Sequence, residues 1–256
     1  MLHLPREHGA YGQMAVPLVS ALAVAGVRTP SLLTAVAVVM AFVAHEPLLV
    51  LTGARGERAR RDAGPSARLW LVVTVFAALS AGLMALWLSP AHARPALLLP
   101  LPPALALFVA LSLGREKDAW AQVCVSLAFS LAAVPVCVSA GAPTALGLAV
   151  ALPFAVVFVA ATLAVRVVVL GARVRAAPRV RAMTQVATVV VASAGLGALA
   201  AAAAADLLPW SACLAAAPAA GSAVLVLVPP APRHLRAVGW AIVAMSLFTA
   251  LVVVTA

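Results

Sequence analysis

Long apolar stretches broken by short polar islands organise this chain. A helix rises 1.5 Å per residue, so about 20 apolar residues cross the roughly 30 Å hydrocarbon layer of a bilayer. In that unit the 256 residues divide into nine segments, near 12–28, 31–51, 69–89, 95–113, 119–139, 143–165, 183–204, 207–229 and 237–255. Pro100, Pro102 and Pro103 interrupt the fourth segment, and Pro218 interrupts the eighth. In lipid such breaks persist where neighbouring helices or cavity water satisfy the freed carbonyls. The pattern predicts an all-α, polytopic integral membrane protein of about nine transmembrane helices, forming one domain over residues 1–256.

The islands read PREHGAYGQ at 5–13, HEPLLVLTGARGERARRD at 45–62, GREKDAW at 114–120 and RVVVLGARVRAAPRVR at 166–181. If successive segments alternate in direction, all of the 17 Lys and Arg residues except Arg28 and Arg94 fall on one side. Cytoplasmic loops retain Lys and Arg, so this side is expected to be cytoplasmic, with the N-terminus there and the C-terminus across the membrane. Glu7, Glu46, Glu57, Asp62, Glu116 and Asp118 share that side, and Asp206 alone falls opposite. The charge rule makes no demand on acids, so their placement is independent information.

Charged residues are 9% of the chain and hydrophobic ones 65%, against about 25% charged in an ordinary soluble domain. Lipid is therefore the expected solvent for most of the surface, and a membrane the expected location. The formal charge of +10 does not imply nucleic acid, because the arginines punctuate apolar runs rather than form a stripe on a folded domain. Cys124, Cys137 and Cys213 lie within apolar runs and read as small buried hydrophobes. Arg6 before the first apolar run resembles a secretion leader, but Glu7, His8 and Gly9 intervene and eight similar runs follow, so a retained first span is expected.

Some polar residues exceed what topology requires. Glu7 and His8 stand just before the first span, where they read either as an interfacial anchor with Tyr11 and Arg6, or as acid, base or ligand facing a cytoplasmic cavity. His45 and Glu46 lie within an apolar run that continues past Pro47 to Leu51. A carboxylate at membrane depth costs about 2–3 kcal/mol unless paired or hydrated, which marks it as part of a polar network. Arg166, at similar depth in the sixth segment, is the expected partner of Glu46, either as a staple or as a second wall of an anion-binding cavity. Arg115 and Lys117 stand in a turn and could clamp a phosphate. Each juxtamembrane arginine of the longer loops adds about 1 kcal/mol of attraction to anionic lipid, which accounts for most of them. His8, His45, Glu7 and Glu46 lack an HExxH spacing, and no metal site is expected.

PREHGAYGQ, HEP at the end of the second segment, and GREKDAWAQ before the fifth together resemble the YwiC-like family of bacterial membrane proteins. The overall arrangement, nine helices with enlarged cytoplasmic loops 2–3 and 6–7 and a basic loop before helix 5, resembles the UbiA superfamily of intramembrane prenyltransferases. That second resemblance implies an isoprenoid diphosphate held through magnesium by Asp-rich motifs after helices 2 and 6. This chain departs from it: His45 and Glu46 stand where the first motif would begin, Leu49 occupies the next acidic position, and Arg166 stands in a second region without Asp. Magnesium prefers carboxylate and water oxygens, so ordinary magnesium-dependent transfer is not expected.

The expected function is therefore a divergent UbiA-like protein that binds an isoprenoid or lipid-phosphate ligand in a cavity open to the cytoplasmic side, with non-standard prenyl transfer as an extension. Glu7, His8, His45 and Glu46 are its candidate catalytic residues, and Arg6, Arg115, Lys117 and Arg166 its candidate ligand contacts. Membrane lipids are the expected partners and nucleic acid is not; no cofactor is indicated. Two other readings are a transporter, which predicts polar residues near the midplane, and a non-catalytic assembly factor for a respiratory or quinone-related complex.

Overall fold

A computed structural model describes residues 8–172, 178–231 and 234–256. Arg6 and Glu7 lie outside them, and of His8 only the backbone is described. The described residues form helices and turns without a strand: α1 (His8–Ala25), α2 (Thr29–Leu51), α3 (Glu57–Leu88), a 3-10 turn (Ala91–Ala93), α4 (Arg94–Leu97), α5 (Leu101–Ser112), α6 (Ala119–Leu131), α7 (Ala133–Ser139), α8 (Thr144–Ala172), α9 (Pro178–Ala204), α10 (Trp210–Ala216), α11 (Pro218–Leu227) and α12 (Leu235–Thr255). Among these residues eight helical stretches are long and apolar enough to cross a membrane, counting α4–α5, α6–α7 and α10–α11 as one stretch each. α1, apolar over Gly9–Ala25, is shorter. The protein is thus an all-α polytopic membrane protein, and each predicted segment has a helical counterpart.

Proline explains where the broken stretches break. A proline has no N–H for the carbonyl four residues earlier and its ring crowds that carbonyl. The α10–α11 joint falls at Ala217, immediately before Pro218, and Pro100 separates α4 from α5. A third joint, between α6 and α7, was not anticipated. Pro135 cannot bond the carbonyl of Leu131, and the helix is interrupted at Ala132. Pro17, Pro47 and Pro153 lie inside helices that continue through them.

α8 is the axis of the bundle. It packs against α1, α6, α7, α9, α10, α11 and α12, and Phe154, Val157, Phe158 and Val167 on it have no exposed surface. Small residues let its neighbours approach closely, the usual device for helix association in lipid. A Cβ on Gly147 would lie 3.1 Å from the Val134 Cα on α7, and one on Gly195 of α9 would lie 2.7 Å from Val156 Cγ1. α3 lies at the margin, packed chiefly on α2. Its Phe76 and Trp87 are 71% and 74% exposed, an arrangement suited to a hydrocarbon solvent.

Because the long stretches alternate in direction, one end of the bundle collects the start of α1, the end of α2, the α5–α6 turn, the end of α8 and the start of α9. This basic end holds most of the chain's charge. Two side-chain hydrogen bonds confirm the juxtaposition across distant sequence: Gln13 Nε2 on α1 donates to Thr162 Oγ1 on α8 at 3.2 Å, and Arg166 Nη1 on α8 donates to the Lys117 carbonyl at 2.7 Å.

Candidate functional site

The site at the basic end begins with the exit from α2. After Leu51 the chain turns through Thr52–Gly56, with Gly53 and Gly56 at φ +80° and +95°. Those left-handed conformations strain any residue with a Cβ. The turn brings Arg55 back over the end of α2, where it grips Glu46 with two prongs: Nε to Oε1 at 3.0 Å and Nη2 to Oε2 at 2.6 Å. Glu46 is buried, at 4% exposure, and the parallel fork of a guanidinium on a carboxylate is among the strongest polar contacts available.

This arrangement corrects one expectation. Glu46 is paired with Arg55 from its own hairpin, not with Arg166. The tight turn delivers a guanidinium within the hairpin itself, and a local partner needs no rearrangement between helices. Arg166 instead donates to the Lys117 carbonyl and, at 3.5 Å, to Gln122 Oε1. Its Nε is sealed from solvent without a hydrogen-bond partner. Among the described residues, Arg166 therefore meets a carbonyl and an amide but no carboxylate.

Below Arg166 a chain of neutral polar groups, which sequence reasoning missed, ties three helices together. Ser126 Oγ and Thr162 Oγ1 lie 2.9 Å apart, Thr162 also accepts from Gln13, and Ser126 Oγ donates to the Gln122 carbonyl at 3.3 Å. One turn deeper Ser130 Oγ donates to the Ser126 carbonyl at 2.8 Å. Gln122, Ser126 and Ser130 stand four residues apart, and so do Thr162 and Arg166; that spacing places each set on one helix face. It was legible, though only as a stripe without a known partner. An aromatic wall closes the side toward α2: Tyr11 and Phe42 meet edge to face at 5.0 Å between ring centres, and Phe42 and Phe129 at 5.4 Å.

The remaining predicted residues divide. Lys117 joins the site through its carbonyl, while its side chain is on the exposed face of the turn. Arg115 is occupied by Asp118, Nε to Oδ2 at 2.7 Å, in an exposed local pair. His45 is partly buried beside Glu46. His8 starts α1, three residues before Tyr11, on the helix that supplies Gln13. Among the described residues no three His, Cys, Asp or Glu side chains gather in one place. A lateral groove of about 630 Å³ lies elsewhere, between α9, α10 and α11, walled by Leu196, Trp210 and Leu214. It is nearly devoid of polar surface and does not reach Arg166.

The groups at the basic end can therefore do two different things. The Glu46–Arg55 pair is self-neutralising and locks a turn. Arg166 carries a charge that no described side chain neutralises, next to a ladder of hydroxyl and amide groups, which suits it to an anion.

No curated protein and no solved structure matches this chain. The family described as YwiC-like protein matches residues 4–137, a little over half of the length. The matched part supplies the α1, α2 and α6 walls of the site and the Glu46–Arg55 pair, while Thr162 and Arg166 come from beyond it. On that match the chain belongs to the YwiC-like protein family.

Proposed function

We propose that this protein resides in the bacterial cytoplasmic membrane with its basic end facing the cytoplasm, and that it binds the phosphate head of an isoprenoid or other lipid at Arg166. One observation carries the reading: a partly buried guanidinium on the most enclosed helix, with a sealed Nε and no carboxylate among the described residues. An uncompensated charge taken out of water costs several kcal/mol, so a guanidinium held in this way calls for an anion. A planar fork suits phosphate oxygens. The resemblance of the sequence arrangement to the UbiA superfamily favours an isoprenoid tail over a compact headgroup alone. Catalysis is a further step within this proposal. It would draw on Glu7, His8 and His45 rather than on Glu46, whose carboxylate is already engaged by Arg55.

The test is native mass spectrometry, with extraction of lipid from the purified protein. A co-purifying isoprenoid or lipid phosphate is expected in the wild type, retained in Glu46→Ala where that variant folds, and lost in Arg166→Ala. Arg166→Lys, which keeps the charge but not the fork, is expected to retain only part of it. Absence of any such ligand, or a ligand unaffected by Arg166→Ala, refutes the proposal.

A further inference from the structure

We infer that the basic end carries a second phosphate-binding site, on the α9 flank of α8, built on Arg181. The argument begins with charge. Residues 119–256 contain seven arginines and one acid, Asp206. Asp206 follows the far end of α9, about 37 Å along the helix axis from Arg181. The helices α8, α9, α11 and α12 therefore offer Arg181 no carboxylate at its own end.

The geometry agrees with that accounting. The guanidinium lies flat against the last turn of α8. A Cβ on Gly171 would sit 3.4 Å from its Cζ and 3.5–3.6 Å from its two terminal nitrogens, so the guanidinium is within van der Waals reach of that turn. Nε is sealed from solvent and has no hydrogen-bond partner among the described residues. Among the described residues Arg181 makes no ion pair, and the two terminal nitrogens form the edge left for a ligand.

The neighbouring amide does not compete for that role. Gln185, one turn further along α9, donates to the Val226 carbonyl at 2.9 Å. In a continuing helix that carbonyl would receive the N–H of residue 230, which is Pro230 and has none. Gln185 thus satisfies an acceptor left open by proline and fixes α9 to the end of α11. Arg181 sits one turn from a helix contact fixed by Gln185, with its charge unpaired among the described residues. A phosphate accepts two parallel hydrogen bonds from such a fork, and the position at the end of a membrane-crossing helix suits either a phospholipid headgroup or a phosphate arriving from water.

The full-length protein, delipidated in detergent, would be titrated by native mass spectrometry with phosphatidylglycerol, with diacylglycerol as the phosphate-free counterpart, and with inorganic phosphate. Arg181→Ala is expected to weaken phosphate-dependent binding about tenfold or more, the loss of one charge-assisted contact. Arg181→Lys, which keeps charge and stem in case the alanine variant fails to fold, is expected to weaken it by less. Arg58→Ala, at a side chain 96% exposed, controls for loss of one positive charge and is expected to have no effect. In Arg166→Ala the Arg181-dependent binding is expected to persist, which separates this site from the one proposed above. Binding of phosphatidylglycerol but not phosphate identifies a headgroup site; binding of both identifies a general phosphate site. Equal effects of Arg181→Ala and Arg58→Ala, or no binding by either phosphate source, would overturn the inference.

Discussion

Arg55 and Glu46 form a two-pronged ion pair, with Nη2 2.6 Å from Oε2 and Nε 3.0 Å from Oε1, across a turn that needs two left-handed glycines. The pair is local, so it neutralises Glu46 without calling on another helix. That separates two residues, Glu46 and Arg166, whose similar depth suggested a single partnership, and among the described residues it leaves Arg166 as the unneutralised member.

Removing Arg55 strands a carboxylate that is almost completely buried. Arg55→Leu is therefore expected to destabilise the folded protein by about 3 kcal/mol, the lower end for breaking a buried pair because the arginine is partly exposed. Glu46→Leu combined with Arg55→Leu is expected to recover most of that loss, since an apolar pair carries no desolvation cost. Thermal unfolding in detergent of the two single variants and the double variant checks the cycle. Additive losses would show that the two side chains are not coupled.

Two glycines with similarly close contacts should respond differently. A Cβ at Gly195 meets Val156 Cγ1 and Cγ2 at 2.7 and 2.8 Å, and a valine has little rotamer freedom with which to retreat. Gly195→Ala is expected to cost about 1–3 kcal/mol, and Val156→Ala should relieve it. At Gly221 the obstacle is the Met245 Cε at 2.6 Å, the far end of a flexible chain. Gly221→Ala is expected to cost less than about 1 kcal/mol, helped by the better helix propensity of alanine. Unfolding midpoints in detergent measure both, and equal losses would contradict the packing argument.

The two ends of the bundle should label from opposite sides of the membrane. With Cys124, Cys137 and Cys213 replaced by alanine, a single cysteine at Arg58 is expected to react with an impermeant maleimide only from the cytoplasmic face. One at Asp206, which is exposed beyond α9, is expected to react only from the other. The positive-inside rule sets that direction. Reaction of both from one side would refute the alternating arrangement, and reversal of the two would refute the assigned orientation.

Much of the site was legible as a list and little of it as an arrangement. Glu46 stood out because a carboxylate inside an apolar run is costly wherever the chain goes. Its partner did not stand out, because Arg55 looked like one of many loop arginines. Gln122, Ser126 and Thr162 carry no such signal for a related reason: a lone hydroxyl or amide in an apolar helix can bond its own backbone, and only packing shows that it bonds another helix.

The chain alone determined that the protein is helical and made for lipid, where its apolar segments lie, where proline would break two of them, and which residues share an end; it did not show that α3 starts as early as Glu57 or that α8 runs on to Ala172. Those follow from hydrophobic length, alternation and the missing proline N–H, all of which act along the chain. The tertiary structure decided which charges meet. Pairing depends on how helices pack and how a five-residue turn folds, and a distance of 3 Å between side chains is set by neighbours far apart in sequence. It assigned Glu46 to Arg55, left Arg166 and Arg181 without carboxylates among the described residues, and made α8 the axis that carries Arg166 and against whose last turn Arg181 lies.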